Sequence, residues 1–302
     1  MNNYLISLWN LILNEVLNNE EELIHIDSLI TFKDLLKRFY ENINDTNKPK
    51  ISGEEEENSN SIIENIKINI GKTYEKCEGL LFNSELTKNC YDAKDILVII
   101  TEYNNEYKLQ SLKISIKLIS QFLNDNKNHY LKNSNTILFY SLKDFFPEKE
   151  NQQNQQNPIF EYLSTNKTII KNLIYNLLKR SNNFSSNFPS DSNEEIISIC
   201  EFVSNFLIKS ENLIFEKDEI KNIFEHIFNI WKNGENEIEK KITTCIVALT
   251  SKFEFLENFK SVNLFISTKI EHLLRILKNN LTQILNLKKN ENFFYSNFNN
   301  NE

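Results

Sequence analysis

Residues 96–123 read ILVIITEYNNEYKLQSLKISIKLISQFL, two apolar runs separated by a polar turn at Asn104-Asn105, the second opened by Tyr107-Lys108. In the second run Leu112, Ile116, Ile119 and Leu123 recur at steps of four, three and four, which sets them on one face of an α-helix. Lys113, Lys117 and Gln121 fall on the opposite face. The stretch therefore predicts two packed helices. A short antiparallel helix pair cannot bury its apolar stripes alone, and such pairs stack side by side into solenoids.

Composition points the same way. The 302 residues include only 4 Gly and 4 Pro. All-β and doubly wound folds need many tight turns built on those residues, so their scarcity predicts long helices joined by polar loops. The expected fold is all-α, a HEAT- or armadillo-like α-solenoid of stacked antiparallel helix pairs. Helices are predicted near 93–103, 106–124, 128–146, 158–180, 192–209, 217–233, 235–251 and 261–288. Upstream, the spacing from Tyr4 to Leu17 predicts a core or capping helix, followed by helices at 23–43 and 61–76. The stretch 70–90, interrupted by Gly71 and Gly79, is assigned to helix as well. An internal echo supports a repeat: Ile242, Ile246, Leu249 and Phe253 match the set at 112–123, and each set follows a polar turn.

Three segments follow. Residues 1–90 form an N-terminal helical segment with a mobile loop near 44–60, which carries Pro49, Gly53 and the acidic run Glu54 to Glu57. Residues 91–290 form the repeat region, and 291–302 a polar C-terminal tail containing Phe293, Phe294, Tyr295 and Phe298. The Asn/Gln tract at 151–157 marks 147–157 as a surface loop.

The formal charge of −8 and the scatter of Lys and Arg in ones and twos argue against a phosphate-binding stripe. Cys77, Cys90, Cys200 and Cys245 have no metal-knuckle or redox spacing and are expected to be buried, reduced thiols. His25, His129, His226 and His272 stand far apart, and Glu225-His226 lacks a second histidine one helical turn away. Gly53, Gly71, Gly79 and Gly234 assemble neither a phosphate loop nor a dinucleotide fingerprint. Neither a signal sequence nor an apolar run of about 20 residues is present. The expectation is a cytoplasmic or nuclear non-enzyme without cofactor or metal, binding neither nucleic acid nor membrane.

The turn inside 96–119 also resembles that of the second Tel-two-interacting protein family. There an apolar helix runs into Asp-Asp-Tyr, a short polar turn, then Lys-aliphatic-x-Gly and another apolar helix. The matching positions are Thr101, Glu102, Tyr103, Lys108, Leu109 and Ser111, with Thr101 replacing an acidic residue and Ser111 the glycine. The stretches 219–255 and 136–146 look similar too, so the resemblance covers about the C-terminal two thirds of the chain. It implies an α-solenoid subunit of the triple-T complex that binds homologues of Tel-two and of the first Tel-two-interacting protein. With the ninety-kilodalton heat-shock chaperone machinery, that complex matures kinases related to phosphatidylinositol kinases, including TOR, ATM and ATR. Glu102, Tyr103, Lys108 and Ser111 are the candidate contact residues, either shaping the repeat turn or facing a partner. The alternative is a HEAT or armadillo scaffold with unrelated partners.

Overall fold

The computed structural model describes residues 30–38, 40–41, 69–82, 87–143, 157–182, 191–234, 236–257 and 259–298, together with the single positions 7 and 11. Apart from these two positions, the predicted helix at 4–17 lies outside the described residues, as do the acidic loop at 44–60 and residues 147–156. Helix dominates and no strand occurs among the described residues, so the all-α class holds. Residues 30–38 and 69–82 are helical, and downstream run α1 (Thr87–Tyr103), α2 (Lys108–Asp125), α3 (Asn128–Ser141), α4 (Pro158–Thr165), α5 (Lys167–Asn182), α6 (Asp191–Ser210), α7 (Lys217–Asn233), α8 (Asn236–Lys252) and α9 (Lys260–Phe298).

Asparagine, abundant in this chain, works at the helix ends. The Asn157 side chain accepts from the Ile159 N–H at 2.9 Å, and Pro158 supplies the fixed φ of a first helical residue. Asn104 accepts from Glu106 N–H at 3.1 Å and opens the 3-10 turn Asn105–Tyr107 between α1 and α2. Asn126 ends α2 in the left-handed conformation, φ 59°, with its N–H on the Phe122 carbonyl at 3.0 Å.

An asparagine also corrects one predicted boundary. The single helix expected at 158–180 is two, α4 and α5, divided at Asn166. Both the backbone N–H and the side-chain amide of Asn166 donate to the Tyr162 carbonyl, at 3.0 and 2.9 Å, closing α4 locally. Elsewhere α3 stops at Ser141 rather than 146, α1 starts at Thr87, and α9 continues past 288 to Phe298, so the backbone of 291–298 is helical.

The chain divides into two compact units, Met1–Cys245 and Ile246–Glu302, the boundary falling within α8. In the first unit alternate helices are neighbours. α3 packs on α1 and α2, α6 on α3 and α5, and α5 on α2 and α7, while α4 touches α2 and α5. Segment 69–82 meets α2 through Tyr74 and Ser111 and through Glu78 and Lys117. Segment 30–41 meets α1 through Lys33 and Asp92 and through Tyr40 and Tyr103. One row thus holds 69–82, α2, α5 and α7, and the other 30–41, α1, α3 and α6.

Inside the rows α2, α3 and α5 each touch more than one other helix, which widens the stripe they bury. In α2 the buried set is Ser111, Leu112, Ile114, Ser115, Leu118, Ile119 and Phe122, whereas Ile116 and Leu123 from the predicted face are only half-buried. The stripe is displaced because Ser111 and Ser115 sit at helix crossings, where small polar side chains pass for surface in a hydrophobic pattern. Cations brace the helices across the rows and along them. Arg180 donates to Glu195 at 2.5 Å and stands 4.5 Å from the Phe122 ring centroid, and Lys117 lies 4.0 Å from the centroid of Phe82. Lys171 of α5 donates to Glu219 of α7 at 2.5 Å.

The second unit is built on Ile246, Leu249, Phe253, Leu256, Val262 and Phe265, all buried, with Phe253 and Phe255 ring centroids 5.6 Å apart. Among the described residues no helix is long and apolar enough to cross a membrane.

Two outcomes follow from this packing. Phe122→Ala removes a fully buried ring from between α2 and α5, and urea denaturation should show a loss of about 3–5 kcal/mol. Glu219 gives the fold an acid-sensitive joint. Burial works against its carboxylate, but the Glu216 N–H and the Lys171 ammonium outweigh that and hold its pKa below the ordinary 4.5. A depressed folded-state pKa means stability that is complete above pH 4.5 and lost as the pH falls through the folded-state value. Glu219→Gln should therefore destabilise the protein at pH 7 and flatten the acid limb of its stability curve, measured by denaturation at a series of pH values.

Candidate functional site

The turn between α1 and α2 carries all four candidate residues, and the structure separates them into two groups by burial. Ser111 is fully buried, whereas Glu102, Tyr103 and Lys108 are half-buried.

Ser111 stands in a chain of hydroxyls whose direction can be deduced. Thr101 Oγ1 lies 2.6 Å from the Leu97 carbonyl, which can only accept, so the single hydroxyl proton of Thr101 goes there. Ser111 Oγ, 2.5 Å from Thr101 Oγ1, must then donate to it, and the Tyr74 hydroxyl, also at 2.5 Å, donates to Ser111. The order runs Tyr74 to Ser111 to Thr101 to Leu97. Burial pushes the Tyr74 phenol pKa well up, which suits a permanent donor. Thr101 and Ser111 are the two positions that depart from the family pattern, and here they are bonded to each other.

Tyrosine rings surround this chain. Tyr103 stacks on Tyr40 with centroids 4.9 Å apart and planes 6° from parallel, and Tyr107 lies against Tyr74 at 4.7 Å. Burial, assisted by the nearby Tyr107, moves the Tyr40 phenol up to about 12. These contacts join the two N-terminal helical segments to the turn.

Lys143, just beyond α3, gathers the charged residues. Its ammonium donates to Glu102 Oε1 at 2.5 Å, and its carbonyl accepts from Lys108 Nζ at 3.0 Å. Glu102 and Lys108 thereby hold the end of α3 against the turn. Both remain partly solvated, so together with Tyr103 they present an acid, a base and an aromatic edge at one place on the surface.

Sequence reasoning missed Tyr40, Tyr74 and Lys143. Each acts from a distant stretch of chain, and none stands in a motif that could have signalled it.

Among the described residues no group of three His, Cys, Asp or Glu could hold a metal ion. The four cysteines are buried, and burial raises Cys77 to about 12 and Cys245 to about 11, which leaves these two as neutral thiols at physiological pH. His226 faces Ser181 Oγ at 3.2 Å, and burial lowers its pKa.

No protein-family model, curated protein or solved structure matches the chain.

The hydroxyl chain makes a specific demand on stability. Ser111→Ala leaves the buried Tyr74 hydroxyl without its acceptor and should cost about 1–3 kcal/mol. Adding Tyr74→Phe to that variant should restore part of the loss, because the orphaned group is then gone. Chemical denaturation of the two single variants and the double variant checks this. Strict additivity would show that the chain does not act as a unit.

Proposed function

We propose that this protein is a non-catalytic scaffold with a HEAT-like α-solenoid fold. It would serve as a subunit of a triple-T type adaptor that assists chaperone-dependent maturation of kinases related to phosphatidylinositol kinases. The observation that carries the proposal is the turn 101–111. Its sequence resembles that of the second Tel-two-interacting protein family, and in this chain it contacts Tyr40, Tyr74 and Lys143 while leaving Glu102, Tyr103 and Lys108 partly exposed. The alternation of neighbours in the first unit supports the scaffold fold, since pairs that bury their stripes only against adjacent pairs are the physical basis of solenoids. In this reading the protein works by presenting surface in the cytoplasm or nucleus. Its direct partners are homologues of Tel-two and of the first Tel-two-interacting protein.

A HEAT or armadillo scaffold with other partners is the second reading. It is favoured by the internal use of the motif, since Thr101 and Ser111 are consumed by the hydroxyl chain and Glu102 by Lys143.

Affinity capture of the full chain from its own cells, read by mass spectrometry, tests the proposal. Recovery of the Tel-two homologue and of a kinase in the named class is expected. Their absence from a capture that recovers other stable partners would favour the second reading. Lys108→Ala should leave the unfolding free energy within about 0.5 kcal/mol of the parent, because the side chain it removes is partly solvated, while reducing recovery of the complex. Lost stability with intact recovery would make Lys108 a turn-former only.

A further inference from the structure

The second unit exposes an apolar surface on α9 whose spacing is ordered. Ile270, Leu274, Leu277 and Leu281 are 51, 60, 57 and 58% exposed, the highest values among the described large apolar residues of this helix. They recur at steps of four, three and four, the seam of a two-stranded coiled coil, and in sequence Ile284 continues the series. Ser261, Val262 and Phe265 at the start of the same helix are buried and fall at heptad positions away from that seam. The exposed stripe has the form of half an interface.

We propose that this seam pairs with the α9 seam of a second copy of the chain, antiparallel, about a two-fold axis lying between Leu274 and Leu277. In that register Leu274 meets Leu277 of the other copy and Ile270 meets Leu281, each contact occurring twice because a two-fold interface is self-complementary. Charge selects this arrangement. Glu271 and Lys278 share the same flanking position one heptad apart, so antiparallel pairing sets Glu271 of each copy beside Lys278 of the other. Among the described residues neither has an ion-pair partner within its own chain. Parallel pairing would instead face Glu271 with Ile266 and leave Glu271 and Lys278 apart from each other.

The remaining exposed residues fit the same register. Leu264 and Ile266, 42 and 48% exposed, flank the seam. Ile276 is left outside. The seam from 270 to 281 is about 17 Å long, so association should be weak and concentration-dependent. The inference is independent of the partners proposed above, because it rests on residues of the second unit alone.

Sedimentation equilibrium of the full chain, at concentrations up to on the order of 100 µM, should show a reversible species of twice the 35.8 kDa chain mass. Leu274→Glu should abolish it with unchanged helicity by circular dichroism, since the residue is exposed in the single chain. Glu271→Lys and Lys278→Glu should each raise the dissociation constant on the order of tenfold, by setting like charges together at two places, and the double variant should restore it. A chain that stays monomeric throughout overturns the proposal and leaves the seam for a helix of another protein. So does a dimer indifferent to Leu274→Glu. A double variant that associates no better than the single variants overturns the antiparallel register.

Discussion

The fold of the first unit depends on how closely helix backbones approach at the serines of α2. Ser115 meets Ser134 of α3 with their hydroxyl oxygens 2.8 Å apart, and each hydroxyl also lies within reach of the other's backbone carbonyl, at 3.0 and 2.8 Å. One turn earlier Ser111 does the same work against Thr101 of α1 and Tyr74 of segment 69–82. Leucine at either position would force the helices apart, and at 111 it would also leave the Tyr74 hydroxyl without its acceptor. Small side chains that satisfy one another allow α2 to be crossed on several sides at once. The larger apolar residues between these crossings, Leu112, Leu118 and Phe122, then fill the space that the crossings define.

That constraint explains which parts of the fold were legible in the sequence. Helix content was, because 3.6-residue spacing and scarcity of Gly and Pro are local properties, and α7 lies at its predicted limits of 217 and 233. The exact buried stripe of α2 was not. A hydrophobic pattern assigns serine to the surface, yet Ser111 and Ser115 are more deeply buried than Ile116 and Leu123. The break at Asn166 was hidden for a related reason, since asparagine inside an apolar periodicity counts as one polar position, while its amide can claim a carbonyl of the preceding turn.

At the candidate site the sequence located the turn but not its partners. Glu102, Tyr103, Lys108 and Ser111 lie within ten residues, and spacing alone brings them together. Tyr40, Tyr74 and Lys143 reach them only because helices far apart in the chain pack as alternate neighbours. A stacked tyrosine pair and a lysine bridging a carboxylate need no local pattern, so a single sequence holds no signal for them.

Burial decides what the motif can do beyond shaping the turn. Thr101 and Ser111 are closed off from solvent, so any change there reaches a partner only through the positions of α1 and α2. Glu102, Tyr103 and Lys108 are half-buried, each with one side committed to Lys143 or Tyr40 and the other open. A side chain fixed from behind loses little conformational freedom when something binds in front of it, which lowers the entropic cost of contact. The interactions that give these residues a structural role would therefore also make them efficient contacts, and the two roles separate only where a substitution spares the internal bond while altering the open side.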